Sequence, residues 1–404
     1  MDLDIAAHPV PRDIAPSAAT RITRIEVVTF AFPMAGVGKT PEGELTDMPG
    51  ATTPRVRLAV TIETADGARG EYVGGNETMA NQAVSCAKLM LDRDCFSREE
   101  IYAAIKRKLR KNDRMGAGPL DIALWDLAGK RLGASVAQLL GAGRDRVRAY
   151  ASTWFAGEGG GLSTPEAFAD FAEECLAMGY RAYKMHGWTD GDPARDVAAV
   201  KLLGRRVGGR MALMHDAACM LRTFADALAV GRACDEAGFF WIEDPYGDGG
   251  LAAEGHKRLK QLIRTPVLLG EHVRGLESMA TLVMSGATDF VRADPDFDMG
   301  ITGTMKIANF AEALGLDVEL HAPGPAHRAC MAAIRNTNWY ELSLVGPSRG
   351  CFTPPVFACG YSDRLEDVSP DGTFPVPAGP GLGVTIDWDM IRRMATGTVV
   401  VEEK

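Results

Sequence analysis

Eight short apolar runs follow one another between Val147 and Val345, and they indicate the fold. They are VRAYAS (147–152), AYKMH (182–186), ALMHDA (212–217), FFWIEDP (239–245), VLLGEH (267–272), FVRADP (290–295), DVELHA (317–322) and YELSLV (340–345). The segments between them, such as PARDVAAVKLLGRRV (193–207), have the helical spacing of apolar residues. Eight strands that alternate with helices over roughly 200 residues predict a closed α/β barrel more than an open doubly wound sheet.

From the second run onward, each run supplies ionisable side chains as its strand finishes. In chain order these are Lys184, His186, Asp216, Glu243, Glu271, Asp294, His321 and Glu341. The carboxyl ends of barrel strands form the active-site face, so the series predicts a polar mouth there. A single acid at such a position is usually a helix N-cap, but capping does not account for seven successive strands.

Three of these carboxylates, Asp216, Glu243 and Glu271, come from successive strands and are expected to meet at one point of the mouth. They repel one another unless a cation lies between them. Mg²⁺ binds a few carboxylates and completes its octahedron with water or substrate. For Asp216 or Glu243 alone, an ion pair with a neighbouring Lys or Arg is the alternative. For three carboxylates in register we predict Mg²⁺.

Two further pairs of residues complete the predicted mouth. Asp294 and His321 end adjacent strands, and an Asp that bonds a His raises its basicity, so His321 is a candidate general base. Glu341 follows on the next strand, where it can bond the substrate or form a structural ion pair. Lys184 and His186 share one face of their strand. The Lys184 ammonium is suited to hold a carboxylate and stabilise the charge left by a departing α-proton, although a strand-end Lys can also simply reach solvent.

The residues before the barrel predict a first unit of α+β type. Strand patterns run from Arg21 to Pro33 and from Arg55 to Tyr72, and helical patterns follow. The Gly- and Pro-rich stretch from Met34 to Pro54 between the strands predicts a long functional loop. We divide the chain into a flexible tail (1–20), the α+β unit (21–145), the barrel (146–360) and a C-terminal segment that passes back to the first unit (361–404).

Composition excludes two classes of partner. The chain of 404 residues has a formal net charge of -9 and no basic cluster, which argues against nucleic acid. No apolar run approaches the about 20 residues that span a bilayer. The first residues lack the basic start and the apolar stretch of a secretory signal. We therefore expect a cytoplasmic protein with no membrane partner.

The chain resembles the enolase superfamily, in its mandelate racemase-like branch, over nearly its whole length. The resemblance rests on the order and spacing of the mouth residues and on GPLDIALWDLAGK (118–130). It implies a (β/α)7β TIM-like barrel with an α+β capping domain, whose Met34–Pro54 stretch and Gly75-Asn76-Glu77 region close over the substrate. It also implies Mg²⁺ as cofactor with the ligands Asp216, Glu243 and Glu271, His321 as the base oriented by Asp294, and Glu341 as an aid at the nascent enolate.

The resemblance breaks at one position. Lys184 matches the first lysine of the Lys-x-Lys motif of the family, which helps to bind the substrate carboxylate. The second lysine, ordinarily the base on the other face of the substrate, is replaced by His186. A racemase needs an acid or base on each face, so the outcome of the reaction depends on what His186 does.

The resemblance implies removal of the proton next to a carboxylate, through an enediolate. The leading hypothesis is a lyase that dehydrates a sugar acid to a 2-keto-3-deoxy acid, for which one His-Asp dyad suffices. The alternatives are a racemase or epimerase of a 2-hydroxy or related carboxylate, with His186 and His321 facing each other, and a cycloisomerase of a sugar-acid lactone. A non-enzymatic binding protein would leave the complete ligand set without a role. The partner is then a small-molecule carboxylate, and we expect a homo-oligomer.

Overall fold

The computed structural model of the protein describes residues 17–247 and 249–403. Most of the expected flexible tail (1–20) therefore lies outside the described residues. Within them the chain forms two sheets, one antiparallel and one mainly parallel. No helix in these two ranges combines the length and the apolar character needed to cross a membrane.

The antiparallel sheet joins the two ends of the chain. Its strands, in the spatial order β13-β1-β2-β3, are β1 (Ile22–Lys39), β2 (Leu45–Thr64), β3 (Arg69–Gly74) and β13 (Ala395–Glu402). All neighbouring strands in it are antiparallel. Because β13 pairs with β1, the last strand of the described residues lies beside the first.

The prediction of a long loop from Met34 to Pro54 was wrong. β1 and β2 continue as a hairpin until Lys39 lies opposite Leu45, with a bulge near Gly36. Beyond Phe30 the hairpin has lost its pairing with β13, and it extends past the end of β3 as well. Proline is tolerated in such edge strands, so the Gly and Pro residues that suggested a loop are compatible with a strand here.

The second sheet curls into the barrel. Its parallel strands are β4 (Arg146–Thr153), β5 (Ala182–His186), β6 (Ala212–Asp216), β7 (Trp241–Glu243), β8 (Val267–Leu269), β9 (Phe290–Ala293), β10 (Asp317–Leu320) and β11 (Tyr340–Val345). The order is β10-β9-β8-β7-β6-β5-β4-β11, and β12 (Thr373–Pro375) adds to β4 in the antiparallel sense. Between β10 and β11, Glu319 accepts the backbone N–H groups of Asn338 and Trp339, each at 3.1 Å. The predicted barrel class with a separate α+β unit is confirmed.

Helices connect the strands. They are α1 (Glu77–Ala87), α2 (Arg98–Lys108), α3 (Gly118–Leu132), α4 (Val136–Leu139), α5 (Pro165–Met178), α6 (Pro193–Val207), α7 (Phe224–Ala237), α8 (Ala253–Lys260), α9 (Leu276–Ser285), α10 (Gly300–Ala313), α11 (Pro325–Ala333) and α12 (Trp388–Met394), with 3₁₀ turns at Met115–Ala117 and Leu365–Asp367. Side chains cap several of them at the N-terminus, such as Thr164 for α5, Asp192 for α6 and Thr223 for α7. Short polar side chains at these positions satisfy free N–H groups of the first turn.

The barrel interior has an apolar floor. One residue from each of β4 to β8 enters a fully buried apolar layer: Tyr150, Ala182, Met214, Trp241 and Leu268. Alternate residues of a strand point to the same side. Two positions further along three of these strands, the inward residues are therefore the ones predicted for the mouth: Lys184, Asp216 and Glu243.

Candidate active site

The centre of the site is an inward-facing row at the carboxyl ends of β5, β6 and β7. In the parallel register His186 lies opposite Asp216, and Asp216 lies opposite Glu243. Glu271 follows the end of β8 by two residues. Carboxylate oxygens of Asp216, Glu243 and Glu271 lie within 4.8 Å of one another, so this cluster could hold a metal ion.

The Lys184 ammonium lies in the middle of this cluster. Its Nζ is 2.7 Å from Asp216 Oδ2, 2.8 Å from Glu243 Oε2 and 3.0 Å from Glu341 Oε1. Burial lowers the pKa of the amine, but the three carboxylates outweigh it and hold the pKa well above its ordinary value. Asp216 and Glu243 therefore form the ion pairs with a lysine that the sequence analysis gave as the alternative to a metal site. The same two carboxylates also lie close to Glu271.

A second buried cation, Arg292, was not predicted. Its Nε lies 2.8 Å from Glu243 Oε1, and its Nη2 lies 2.6 Å from Glu341 Oε2. The same Nη2 donates to the Tyr150 hydroxyl at 3.0 Å. Arg292 is fully buried in β9, two residues before Asp294. A charged residue two positions before a mouth residue shares its strand face, and this spacing is the signal in the sequence that points to Arg292.

Replacing Arg292 by Met is expected to lower the free energy of unfolding by about 3–5 kcal/mol. The change leaves the carboxylates of Glu243 and Glu341 buried with one cation fewer. Urea or guanidinium unfolding curves measure it. Arg335→Met is the matched control, because Arg335 is 87% exposed and lies 3.8 Å from its acid, so no measurable change is expected. Equal stability of the two variants would contradict the structural role of Arg292.

The charges of the centre do not balance among its own side chains. Four carboxylates, those of Asp216, Glu243, Glu271 and Glu341, share the two permanent cations Lys184 and Arg292. Burial and the neighbouring carboxylates of Asp216 and Glu341 raise the pKa of the Glu243 carboxyl to about 8, against the effect of Arg292 and Lys184. The available donors are all oxygens and the shortage is two charges, so these residues fit a hard divalent cation such as Mg²⁺.

The predicted dyad of Asp294 and His321 lies at the edge of the cluster. His321 Nδ1 is 2.6 Å from Asp294 Oδ2, and His321 Nε2 is 3.5 Å from Glu271 Oε1. Phe297 stacks on the imidazole with ring centroids 5.6 Å apart. Burial lowers the pKa of His321, but the Glu271 carboxylate and Asp294 outweigh this effect and raise it to about 9. The bond to Asp294 fixes the ring so that Nε2 faces the carboxylates.

A second histidine, His327 of α11, holds the far side of Asp294 and was missed in the sequence. Its Nε2 lies 3.3 Å from Asp294 Oδ1, which also accepts the Asp296 N–H at 2.7 Å. Burial alone would raise the pKa of Asp294, but the bonds from His321 and His327 hold it well below its usual range. Asp294 therefore stays anionic and keeps His321 in one orientation.

His186 is bonded at both ring nitrogens. Its Nδ1 lies 2.6 Å from the Thr153 carbonyl oxygen, and its Nε2 lies 3.2 Å from Asp216 Oδ2. The Phe155 ring packs against it at a centroid distance of 4.8 Å. A carbonyl oxygen and a carboxylate oxygen each accept hydrogen bonds, so the protein itself offers an acceptor to each ring nitrogen of His186.

The prediction that Glu341 lies where its strand finishes was wrong, because it is the second residue of β11. The apolar residues after it continue the pairing with β4, which lengthens the strand beyond the mouth residue. Glu341 Oε2 accepts the Ala322 N–H at 2.9 Å in addition to its bond with Arg292. Burial would raise its pKa, but Arg292 and Lys184 hold it well below the usual range. Of the two roles considered for Glu341, a bond to the substrate or a structural ion pair, its contacts are those of the ion pair.

A cavity of 340 Å³ lies between the barrel mouth and the antiparallel sheet, a volume at the lower end for small-molecule sites. Every predicted site residue except Glu243 lines it. Glu243 is fully buried and does not line the cavity. The side of the cavity formed by the antiparallel sheet, here called the cap side, is lined by Glu44, Leu45, Arg55, Arg57, Gly75 and Asn76. The hairpin turn and the segment before α1 thus contribute to the cavity, and they belong to the two regions that the family resemblance implies close over the substrate.

Known proteins match most of the chain. Residues 167–390 match the protein family described as "Enolase C-terminal domain-like". Residues 50–141 match the family described as "Mandelate racemase / muconate lactonizing enzyme, N-terminal domain". The D-galactarolactone cycloisomerase of Agrobacterium fabrum is 29% identical over 83% of this chain and 90% of its own length. The L-talarate/galactarate dehydratase of Salmonella typhimurium is 28% identical over 80% and 83%, respectively. The D-gluconate dehydratase of Thermoproteus tenax is 28% identical over 66% of this chain, which spans 54% of that relative's length.

Solved structures resemble the fold over nearly its whole length. D-glucarate dehydratase from Agrobacterium tumefaciens, complexed with magnesium, superposes with a TM-score of 0.82 at 28% identity, covering 94% of this chain and 100% of its own. L-talarate dehydratase from Polaromonas sp. JS666, complexed with Mg and L-glucarate, has a TM-score of 0.77 at 25% identity and covers 95% and 100%.

Proposed function

This chain belongs to the enolase C-terminal domain-like family, and from that premise we propose that it is a Mg²⁺-dependent dehydratase of sugar acids. The observation that carries the proposal is the geometry of His321. Its Nδ1 is bound by Asp294 at 2.6 Å, and its Nε2 faces the carboxylate cluster at 3.5 Å from Glu271. A fixed base beside a cation site is what removal of a proton next to a carboxylate requires.

Each part of the site has a role in this reaction. Asp216, Glu243 and Glu271 would hold Mg²⁺, which supplies positive charge to the substrate carboxylate as the neighbouring carbon loses its proton. In its neutral form His321 takes the proton from C2 on Nε2, and the electron pair of that C–H bond moves towards the carboxylate. The Lys184 ammonium, buried beside the cluster, compensates part of the negative charge that develops.

The second half of the reaction needs no further base. The electron pair returns to form the C2=C3 double bond while the C3–oxygen bond breaks. Protonated His321 gives its proton to the departing hydroxyl, which leaves as water. The enol product tautomerises to a 2-keto-3-deoxy acid, so atoms and electrons balance without another reactant.

The contacts of His186 favour dehydration over racemisation. A racemase needs a second group that exchanges protons with the opposite face of the carbon. The ring nitrogens of His186 already face the Thr153 carbonyl oxygen at 2.6 Å and the Asp216 carboxylate at 3.2 Å. Relatives named as dehydratases of gluconate and of talarate and galactarate support the same choice. A relative named as a cycloisomerase keeps lactone opening as the second candidate.

The test is a library of sugar acids incubated with the enzyme and Mg²⁺ in deuterated water. The proposal expects a 2-keto product that reacts with semicarbazide. Deuterium at C2 without a keto product would instead establish an epimerase. Turnover of lactones but of no open-chain acid would establish the cycloisomerase.

Replacing His186 by Ala is expected to leave kcat for dehydration within about tenfold of the wild-type value, because one base suffices. If His186 were an acid or base in the reaction, the loss would be about 10²–10⁴-fold. Steady-state rates of 2-keto product formation decide between the two. A loss in the larger range, with unfolding unchanged, would contradict the one-base mechanism.

A further inference from the structure

Two arginines of β2, Arg55 and Arg57, line the cavity on its cap side. They are two positions apart in the strand and therefore share one face. Both guanidinium groups pack over the ring of Phe352, with Cζ atoms 3.9 and 4.4 Å from its centroid. Two positive groups thus converge on the cap side of the cavity.

Arg57 is tied to the protein. It is buried, and its guanidinium donates to the carbonyl oxygens of Gly75 at 3.2 Å and Phe352 at 3.4 Å. Asp296, which accepts the Tyr72 hydroxyl at 2.7 Å, attracts its charge from nearby. Arg57 therefore has both hydrogen-bond partners and a counter-charge within reach.

Arg55 has neither. Among the described residues its side chain makes no ion pair and no hydrogen bond, and its Nε is buried without a partner. Burial and the charge of Arg57 lower its pKa. Glu44 lines the same cavity but forms no ion pair with it. By contrast, the buried Arg328 donates to the carboxylate of Asp363.

A buried donor without an acceptor is costly, and a guanidinium matches a carboxylate with two parallel hydrogen bonds. The barrel mouth already supplies a site for one substrate carboxylate. The remaining cation on the cap side of the cavity calls for an anion there too.

We propose that Arg55, supported by Arg57 and Phe352, binds a second carboxylate at the distal end of the substrate, so that the enzyme prefers aldaric acids, the diacids, to aldonic acids. This inference rests on the proposed dehydration for its chemistry, but not for its binding geometry. It assigns specificity for the distal group to the cap side, with the reacting carbon at the mouth.

The experiment compares aldarate and aldonate pairs of the same chain length and configuration, beginning with galactarate against galactonate and glucarate against gluconate. The expected kcat/KM is about 10- to 100-fold higher for the diacid, the range of a charge-assisted bond pair. Arg55→Gln is expected to reduce this ratio to within threefold of unity, mainly through KM. Arg335→Gln, on the exposed surface, is the matched control and keeps the ratio.

Binding is measured separately from turnover. Calorimetric titration of His321→Asn protein with Mg²⁺ and each acid should give tighter binding of the diacid, and addition of Arg55→Gln should remove the preference. Diacid preference without any 2-keto product would sink the proposed dehydration but support this inference. Preference for aldonates or for 6-phosphoaldonates, or an equal loss for both acids in Arg55→Gln, would overturn it.

Discussion

Replacing His321 by Asn is expected to lower kcat by at least about 10³-fold, within the range that a positioned general base contributes. In the proposed mechanism the base takes the C2 proton and returns it to the leaving hydroxyl, so its loss would block both halves of the reaction. Asn is smaller than His and keeps a polar group beside Asp294, at a position whose side chain is 21% exposed. The fold should therefore tolerate the change.

Three measurements on the same protein check this result. The rate of 2-keto product formation and the rate of deuterium exchange at C2 should fall together, because both begin with removal of the same proton. The unfolding midpoint and the Kd for Mg²⁺ should stay close to the wild-type values. Undiminished exchange in His321→Asn would remove His321 as the base, whatever happens to product formation.

Chelation by EDTA is expected to abolish turnover, and added Mg²⁺ should restore it. Glu271→Gln should raise the Kd for Mg²⁺ by at least about 100-fold, because loss of a direct ligand costs no less than loss of an outer partner. Glu271 is the least buried of the three carboxylates, so the substitution tests the ion with little effect on packing. Isothermal titration of metal-stripped protein with Mg²⁺ gives the Kd.

Glu277→Gln is the matched control for the metal experiment. Glu277 lies in the first turn of α9, is 58% exposed and pairs with Lys106 on the surface. The same change of charge there should leave the Kd within twofold. Activity that survives EDTA, or equal Kd values for the two variants, would contradict the assignment of the carboxylate cluster to Mg²⁺.

The barrel could be predicted because its strands are short, apolar and regularly interrupted by helical patterns. Parallel strands buried on both faces appear in the sequence as continuous apolar runs. Active sites of barrels lie at the carboxyl ends of the strands, so the polar residues that follow each run are the candidates for the site. Asp216, Glu243 and Glu271 are in fact within 4.8 Å of one another. Their roles, like those of His321 and Asp294, stay predictions until the variants are measured.

Other features depend on contacts between distant parts of the chain. Arg55 lies far from the barrel in sequence, and only the folded chain brings it over Phe352 and into the cavity. His327 lies in a helix that follows the mouth residues, where a lone histidine has no distinguishing pattern. The stretch from Met34 to Pro54 was predicted as a loop because of its glycines and prolines. These residues are tolerated because the stretch forms edge strands of the sheet, and the sequence does not show which strands lie at an edge.

Lys184 and Arg292 have a consequence for how the proposed Mg²⁺ would be acquired. Because they already neutralise half of the buried negative charge, the carboxylates can converge during folding before any metal arrives. Small domains organised by a structural metal cannot do this, since their ligands come together only around the ion. We therefore expect the proposed Mg²⁺ to load after folding, so that ions could exchange in the finished protein. Its metal content would then reflect the ions around it at each moment, and not those present when it was synthesised.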